Sequence, residues 1–150
     1  MARLLIVHHS PSPNLRRVTD AVVDGASDEA IEGVEVVERQ ALEATIDDVL
    51  AADGYVLGTS ANIGYISGAL KHFFDTTFDV ASKQTQKRPF GYYIHGRSDT
   101  SGAERAMQQI TTGLGWRQVV DPLCFLGEPD EAHLAAAREL GGTVAATLMG

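Results

Sequence analysis

Cysteine is almost missing from this 150-residue chain, where Cys124 stands alone. A single thiol closes no internal disulfide, and its neighbours Leu123, Phe125 and Leu126 point to structural burial. That usage suits a reducing compartment. Long apolar runs are missing as well. Nothing approaches the roughly 18 or more apolar residues of a membrane span. The opening stretch Met1–Val7 meets polar His8, His9 and Ser10 too soon for a secretory signal. The expected location is therefore the cytoplasm. Positive charge is scarce, with 12 Lys and Arg against 20 Asp and Glu, a formal net charge of −8. Such a chain repels phosphate backbones, which argues against nucleic acid as a partner. The glycine fingerprint of dinucleotide sites and the lysine-bearing P-loop are both absent, which argues against tightly held NAD or ATP. His8 and His9 are adjacent, so on a strand they point to opposite faces and do not chelate one metal. No metal is expected.

What is present reads as one globular domain over residues 1–150. Hydrophobic residues make up 44% and charged residues 21%, an ordinary balance for a packed core. Strand-like runs alternate with helix-like ones. Leu4–Val7 is continuously apolar, as in a strand buried on both faces. Ser12-Pro13 marks a helix start, with Leu15, Val18, Ala21 and Val22 at helical spacing. Val34–Val37 reads as a second strand, Thr45–Ala52 as a short helix and Gly54–Gly58 as a third strand. Thr59–Tyr65 follows as a loop. Ile66, Leu70, Phe73, Phe74 and Phe78 mark an amphipathic helix. Phe90–Ile94 is a fourth strand and Ser101–Leu114 a helix ending at Gly115. Val119–Leu126 holds a fifth strand interrupted by Pro122, and Pro129 opens the last helix. Strict alternation implies an α/β fold, a three-layer α/β/α sandwich around a five-stranded parallel sheet of order 2-1-3-4-5.

In such sheets ligands bind beyond the carboxyl ends of the strands, at the switch in strand order. The loops to inspect are His9–Leu15, Thr59–Tyr65 and His95–Gly102. Ser10-Pro11-Ser12-Pro13-Asn14-Leu15 joins the first strand to the first helix. Free amides at a helix start favour an anion, and Ser10, Ser12 and Asn14 add side-chain donors. Read alone, Ser12 serves equally as a plain helix cap.

This first loop resembles the phosphate loop of the flavodoxin and NAD(P)H:quinone reductase superfamily. The run Gly58-Thr59-Ser60-Ala61-Asn62-Ile63-Gly64-Tyr65-Ile66-Ser67-Gly68-Ala69-Leu70-Lys71-His72-Phe73-Phe74-Asp75 resembles the signature of WrbA-like, NADPH-dependent FMN reductases. His95-Gly96-Arg97-Ser98-Asp99-Thr100 lies where that family has its second flavin loop. The resemblance runs from Met1 to about Gly115. It implies a flavodoxin-like fold and FMN as cofactor, with NAD(P)H as a co-substrate. Ser10, Pro11, Ser12, Pro13, Asn14 and Leu15 would hold the FMN phosphate. Ser60, Ala61, Asn62, Ile63, Gly64 and Tyr65 would border the isoalloxazine ring. His95, Gly96, Arg97, Ser98, Asp99 and Thr100 would complete the pocket, largely through backbone groups. Leu15 stands where flavodoxins carry a phosphate-binding Thr. Ser60 replaces the usual Pro, Ala61 the usual Thr and Ile63 a common aromatic residue.

On this reading His95 is the catalytic candidate, as a hydrogen-bond donor or proton site at the flavin edge; the plain alternative is a strand-end histidine bonded to backbone. Arg97 either stabilises negative charge on reduced flavin or is a solvated loop residue. His72 is expected in a surface or packing role, His133 in solvent and Trp116 in a structural one. The implied activity is oxidoreduction, passing electrons or hydride from NAD(P)H through FMN to a quinone or other acceptor. A one-electron carrier serving a redox protein and a flavin-free interaction module are the alternatives. The resemblance also admits a homodimer. A phospho-receiver fails because His8-His9, Thr59-Ser60 and Leu126-Gly127 occupy the places of its acidic pair, its Asp and its Lys. A serine hydrolase fails because Asn62 stands where the elbow needs glycine.

Overall fold

A computed structural model describes residues 1–150. Strand β1 (Ala2–His8) is followed by α1 (Pro13–Ala26), β2 (Val34–Gln40), α2 (Ile46–Ala51) and β3 (Gly54–Asn62). Then come β4 (Tyr65–Ile66), α3 (Gly68–Gln84), β5 (Pro89–Gly96), α4 (Ser101–Leu114), β6 (Arg117–Gln118), β7 (Leu123–Leu126) and α5 (Glu131–Thr147).

The sheet runs β2-β1-β3-β5-β6, with β7 also on β5 and β4 on β3. It therefore has seven strands, where the sequence reading gives five. Two local causes account for the difference. The fifth position is split: Phe90 faces Gln118 and Tyr93 faces Leu123. Three steps along β5 are thus matched by five on the partner, and Val119–Pro122 bulges out. Pro122 lacks the N–H that an unbroken ladder requires. The remaining strand, β4, takes the last residue of the expected Thr59–Tyr65 loop and Ile66, which the spacing assigns to the helix that instead begins at Gly68. There β3 continues to Asn62, turns at Ile63-Gly64 and pairs back antiparallel, Asn62 against Tyr65 and Ala61 against Ile66. The five parallel positions keep the expected order and three layers.

Two apolar clusters, one on each face, bury the sheet. Leu5, Val7, Leu57, Tyr92 and Ile94 pack toward α2, α3 and α4; Leu4, Ile6, Val56 and Tyr93 pack toward α1 and α5. Burying each of these side chains contributes about 1.5–3 kcal/mol. The amino end of the sheet is locked tightly. Trp116 stacks on Tyr55 with ring centroids 3.9 Å apart and donates to Thr85 Oγ1 at 2.8 Å. Arg88 Nη1 donates to Ala52 O at 2.6 Å and Leu50 O at 3.2 Å, satisfying carbonyls at the end of α2. The carboxyl end is left open, and the candidate site lies there.

Candidate functional site

The helix starts are built from local chemistry. Ser12 is extended (φ −125°, ψ 155°) and its Oγ accepts from Leu15 N at 3.2 Å, with Pro13 fixing the first helical φ of α1. As an acceptor for the helix, the Ser12 hydroxyl keeps its own proton for a ligand. Thr59 Oγ1 holds the second loop by accepting from Ser67 N at 3.0 Å and donating to Ser60 O at 2.8 Å. Ser67 Oγ in turn caps α3 by accepting from Leu70 N at 3.1 Å. Asp99 fixes the third loop, accepting from Ser101 N at 3.0 Å and Ser101 Oγ at 2.8 Å. Those bonds hold its carboxyl below the usual carboxylate range.

The ends of β1, β3 and β5 enclose a cleft of about 360 Å³, lined by Pro11, Ser12, Ser60, Ala61, Asn62, His95, Gly96 and Arg97. All eight belong to the residues expected at the site from the sequence. In a chain of net charge −8, this lining holds one arginine, one histidine and no carboxylate. It offers an anionic ligand a local environment opposite to the molecule's overall sign.

Two buried polar atoms at these strand ends have no partner: Ser60 Oγ and His9 Nδ1. An orphaned buried polar group costs about 1–3 kcal/mol. Such a pair at the mouth of adjacent strands fits a ligand that brings hydrogen-bonding groups of its own. His95 Nε2 lies 2.7 Å from Gly127 O. A carbonyl only accepts, so Nε2 carries a proton, and in the neutral form of the ring the lone pair is on Nδ1. The ring also packs 5.0 Å from Phe125.

The other expected residues fall around the cleft. Ser10 turns inward, bonded to His8 Nδ1 at 2.9 Å and Thr19 Oγ1 at 2.7 Å. The Leu15 side chain is fully buried in the core and its amide is spent on Ser12, so it presents nothing to a ligand. Pro11 and Pro13 have no N–H, which leaves the amides of Ser10, Ser12 and Asn14 as the open donors of this loop. Ile63, Gly64 and Tyr65 form the exposed hairpin turn and its return strand. Ser98, Asp99 and Thr100 lie in the turn before α4, and Thr100 Oγ1 donates to Glu104 at 2.8 Å. His133, expected in solvent, is half-buried and stacks 4.4 Å from Phe125, because it closes a capping box with Asp130 at the start of α5.

Sequence reasoning missed the buried relay behind the loop. His8 Nε2 lies 2.8 Å from Glu38 Oε2. From Ser10 the chain continues through Thr19 to Tyr93 OH, 2.7 Å away. Gly58 makes this possible, since a Cβ there would sit 2.1 Å from the Tyr93 ring. Only the parallel register of β1 and β2, which sets His8 against Gln40, brings Glu38 within reach. A single sequence carries no signal of that pairing.

An open-ended parallel sheet with its cleft at the strand-order switch defines the flavodoxin-like class of α/β proteins. Residues 14–128 match the model of the NADPH-dependent FMN reductase family, and the chain belongs to that family. It is similar to a protein named flavodoxin from Aquifex aeolicus (strain VF5), 36% identical over 75 residues. That match covers 50% of this chain and 40% of the relative, so it spans less than half the relative's length. Among solved structures, a flavodoxin from the domain Archaea superposes with a TM-score of 0.84 at 18% identity, covering 99% of both chains. The WrbA-like flavodoxin from Agrobacterium tumefaciens gives 0.79 at 22% identity, covering 99% of this chain and 98% of that one. At these identities the two structures speak for the fold.

Proposed function

We propose that the chain binds FMN in the cleft at the ends of β1, β3 and β5 and acts as an oxidoreductase between NAD(P)H and a quinone or other small acceptor. The observation that carries this reading is the cleft itself. It has a carboxylate-free lining in an acidic chain and includes Ser60, whose Oγ is orphaned; His9 Nδ1, just past the end of β1, is orphaned as well. The family match supports the choice of cofactor.

The residues present fit a phosphorylated flavin. The open amides of Ser10, Ser12 and Asn14, with the Ser12 hydroxyl, bind the phosphate at the start of α1. Ser60 and His9 satisfy their unmet hydrogen bonds on the ligand. Ala61 and Asn62 border the ring, with Ile63, Gly64 and Tyr65 on the overhanging hairpin. Gly96 allows close approach of the third loop, with Ser98, Asp99 and Thr100 shaping it. Arg97 places a positive charge at the rim, where negative charge on the ligand is favoured. His95, its Nε2 proton held by Gly127, orients Nδ1 as an acceptor for a proton at the ligand edge. Bound FMN would supply the two-electron chemistry that no side chain here provides.

The test is a titration of purified protein with FMN, followed under anaerobic conditions by NADH or NADPH. Saturable binding and rapid bleaching of the oxidised flavin absorbance are expected. Failure to bind FMN would overturn the cofactor assignment. A second reading, a carrier without nicotinamide activity, is favoured by the relative named flavodoxin. Binding without bleaching by either nicotinamide, while dithionite still reduces the flavin, would select it.

A further inference from the structure

The relay behind the first loop has a defined direction. Glu38 is held below the usual carboxylate range, despite the cost of partial burial, by hydrogen bonds from Arg16 and His8. It is an acceptor only, so His8 Nε2 must carry a proton toward it. Burial of the ring, 2% exposed, lowers the His8 pKa more than the Glu38 hydrogen bond and charge raise it. In the neutral ring Nδ1 is then a lone pair, which accepts the Ser10 proton at 2.9 Å. Ser10 Oγ accepts from Thr19 at 2.7 Å, and Thr19 accepts from Tyr93 at 2.7 Å. Burial pushes the fully buried Tyr93 phenol up, which suits its place as terminal donor. Every hydroxyl proton of the relay points toward His8, so Ser10 presents no side-chain proton to the loop.

A proton on His8 reverses this. Nδ1–H then donates to Ser10 Oγ, and the Ser10 proton needs a new acceptor. Passing it to Thr19 would displace the Tyr93 proton, for which Thr19 is the one hydrogen-bond partner in the structure. Passing it outward hands it to an acceptor in the loop, where an anion accepts more strongly than water. We infer that His8 is a positioning residue that couples its own protonation to phosphate binding by the Ser10–Asn14 loop, through the direction of the Ser10 hydroxyl. The inference rests on the phosphate reading of that loop. The other charged groups around His8 are Glu38 from β2 and Arg16 and Asp20 from α1, with Arg16 lowering and Asp20 raising its proton affinity. Tyr93 of β5 reaches it only through Thr19 and Ser10. Strand β3 sets Gly58 beside His8 and adds no titratable group.

Sulfate is the probe, because it does not titrate in this pH range. Nitrogen NMR of the wild-type protein should first show His8 as the Nε2–H tautomer; the Nδ1–H tautomer would overturn the inference without any mutation. Saturating sulfate should then raise the His8 proton affinity about tenfold, the size of one charge-assisted hydrogen bond. By reciprocity the protonated protein binds the anion tighter by the same factor. FMN should act like sulfate, and riboflavin, which lacks the phosphate, should leave the His8 midpoint in place. Ser10→Ala should abolish the shift; a shift that persists there is a through-space field effect and overturns the relay. If the amides of Ser10, Ser12 and Asn14 respond to sulfate while the His8 midpoint stays fixed, the coupling fails and the phosphate reading stands. If those amides do not respond, both fall.

Discussion

Ser60 illustrates how one side chain trades stability against binding. Its hydroxyl is buried and unpaired, so the folded protein carries its desolvation cost without return until a ligand arrives. Ser60→Ala should leave urea stability unchanged or raise it by up to about 1 kcal/mol, while weakening FMN about tenfold in the titration described above. A parallel loss of both would assign Ser60 to the scaffold. Its place at the end of β3 is legible in the sequence, because Thr59–Tyr65 follows the third strand at the switch in strand order. The His9 orphan was less so, since adjacency to His8 says only that the two rings diverge. Leu15 shows the opposite failure. The resemblance of the first loop puts it at the site, where flavodoxins carry a phosphate-binding Thr, yet an apolar side chain at the first turn of α1 is drawn into the core.

Among the elements, the β3–β4 hairpin was the least readable. Its two central residues, Ile63 and Gly64, both have positive φ, 49° and 74°. That combination is a type I′ turn, where Asn-Gly is the favoured pair. A β-branched residue in this conformation costs on the order of 1–3 kcal/mol. The sequence therefore advertised a loop, and tertiary context made a hairpin. Ile63 is also fully exposed, so neither packing nor backbone preference explains it within the free protein. Ile63→Asn should stabilise the hairpin, raising the free energy of unfolding by about 1 kcal/mol in urea melts. The same change should weaken FMN binding if the isoleucine covers the ring, and unchanged affinity would remove it from the site. The helix starts were far more legible, because Ser12-Pro13 and Ser67 cap by short-range rules that need no partner elsewhere.

Across the whole molecule, the layer order followed from strict alternation, whereas side-chain pairs that span strands did not. The pair His8–Glu38 makes the ligand-free protein acid-sensitive in two stages. The folded His8 pKa lies below its unfolded value near 6.5, so its contribution is complete above that pH and is lost as pH falls toward the folded value. Glu38 lies below 4.5 when folded and adds a second loss beneath that point. Stability measured by thermal melting should be flat above about pH 7 and decline in these two windows. His8→Gln should erase the upper window, and an unaltered profile would show that another group is responsible. The detour at Val119–Pro122 adds two residues relative to β5. Parity matters there: an even insertion returns β7 with Phe125 and Cys124 on their proper sides of the sheet, while an odd one would exchange them. The outer edge can therefore change length in steps of two and still deliver the Gly127 carbonyl to His95.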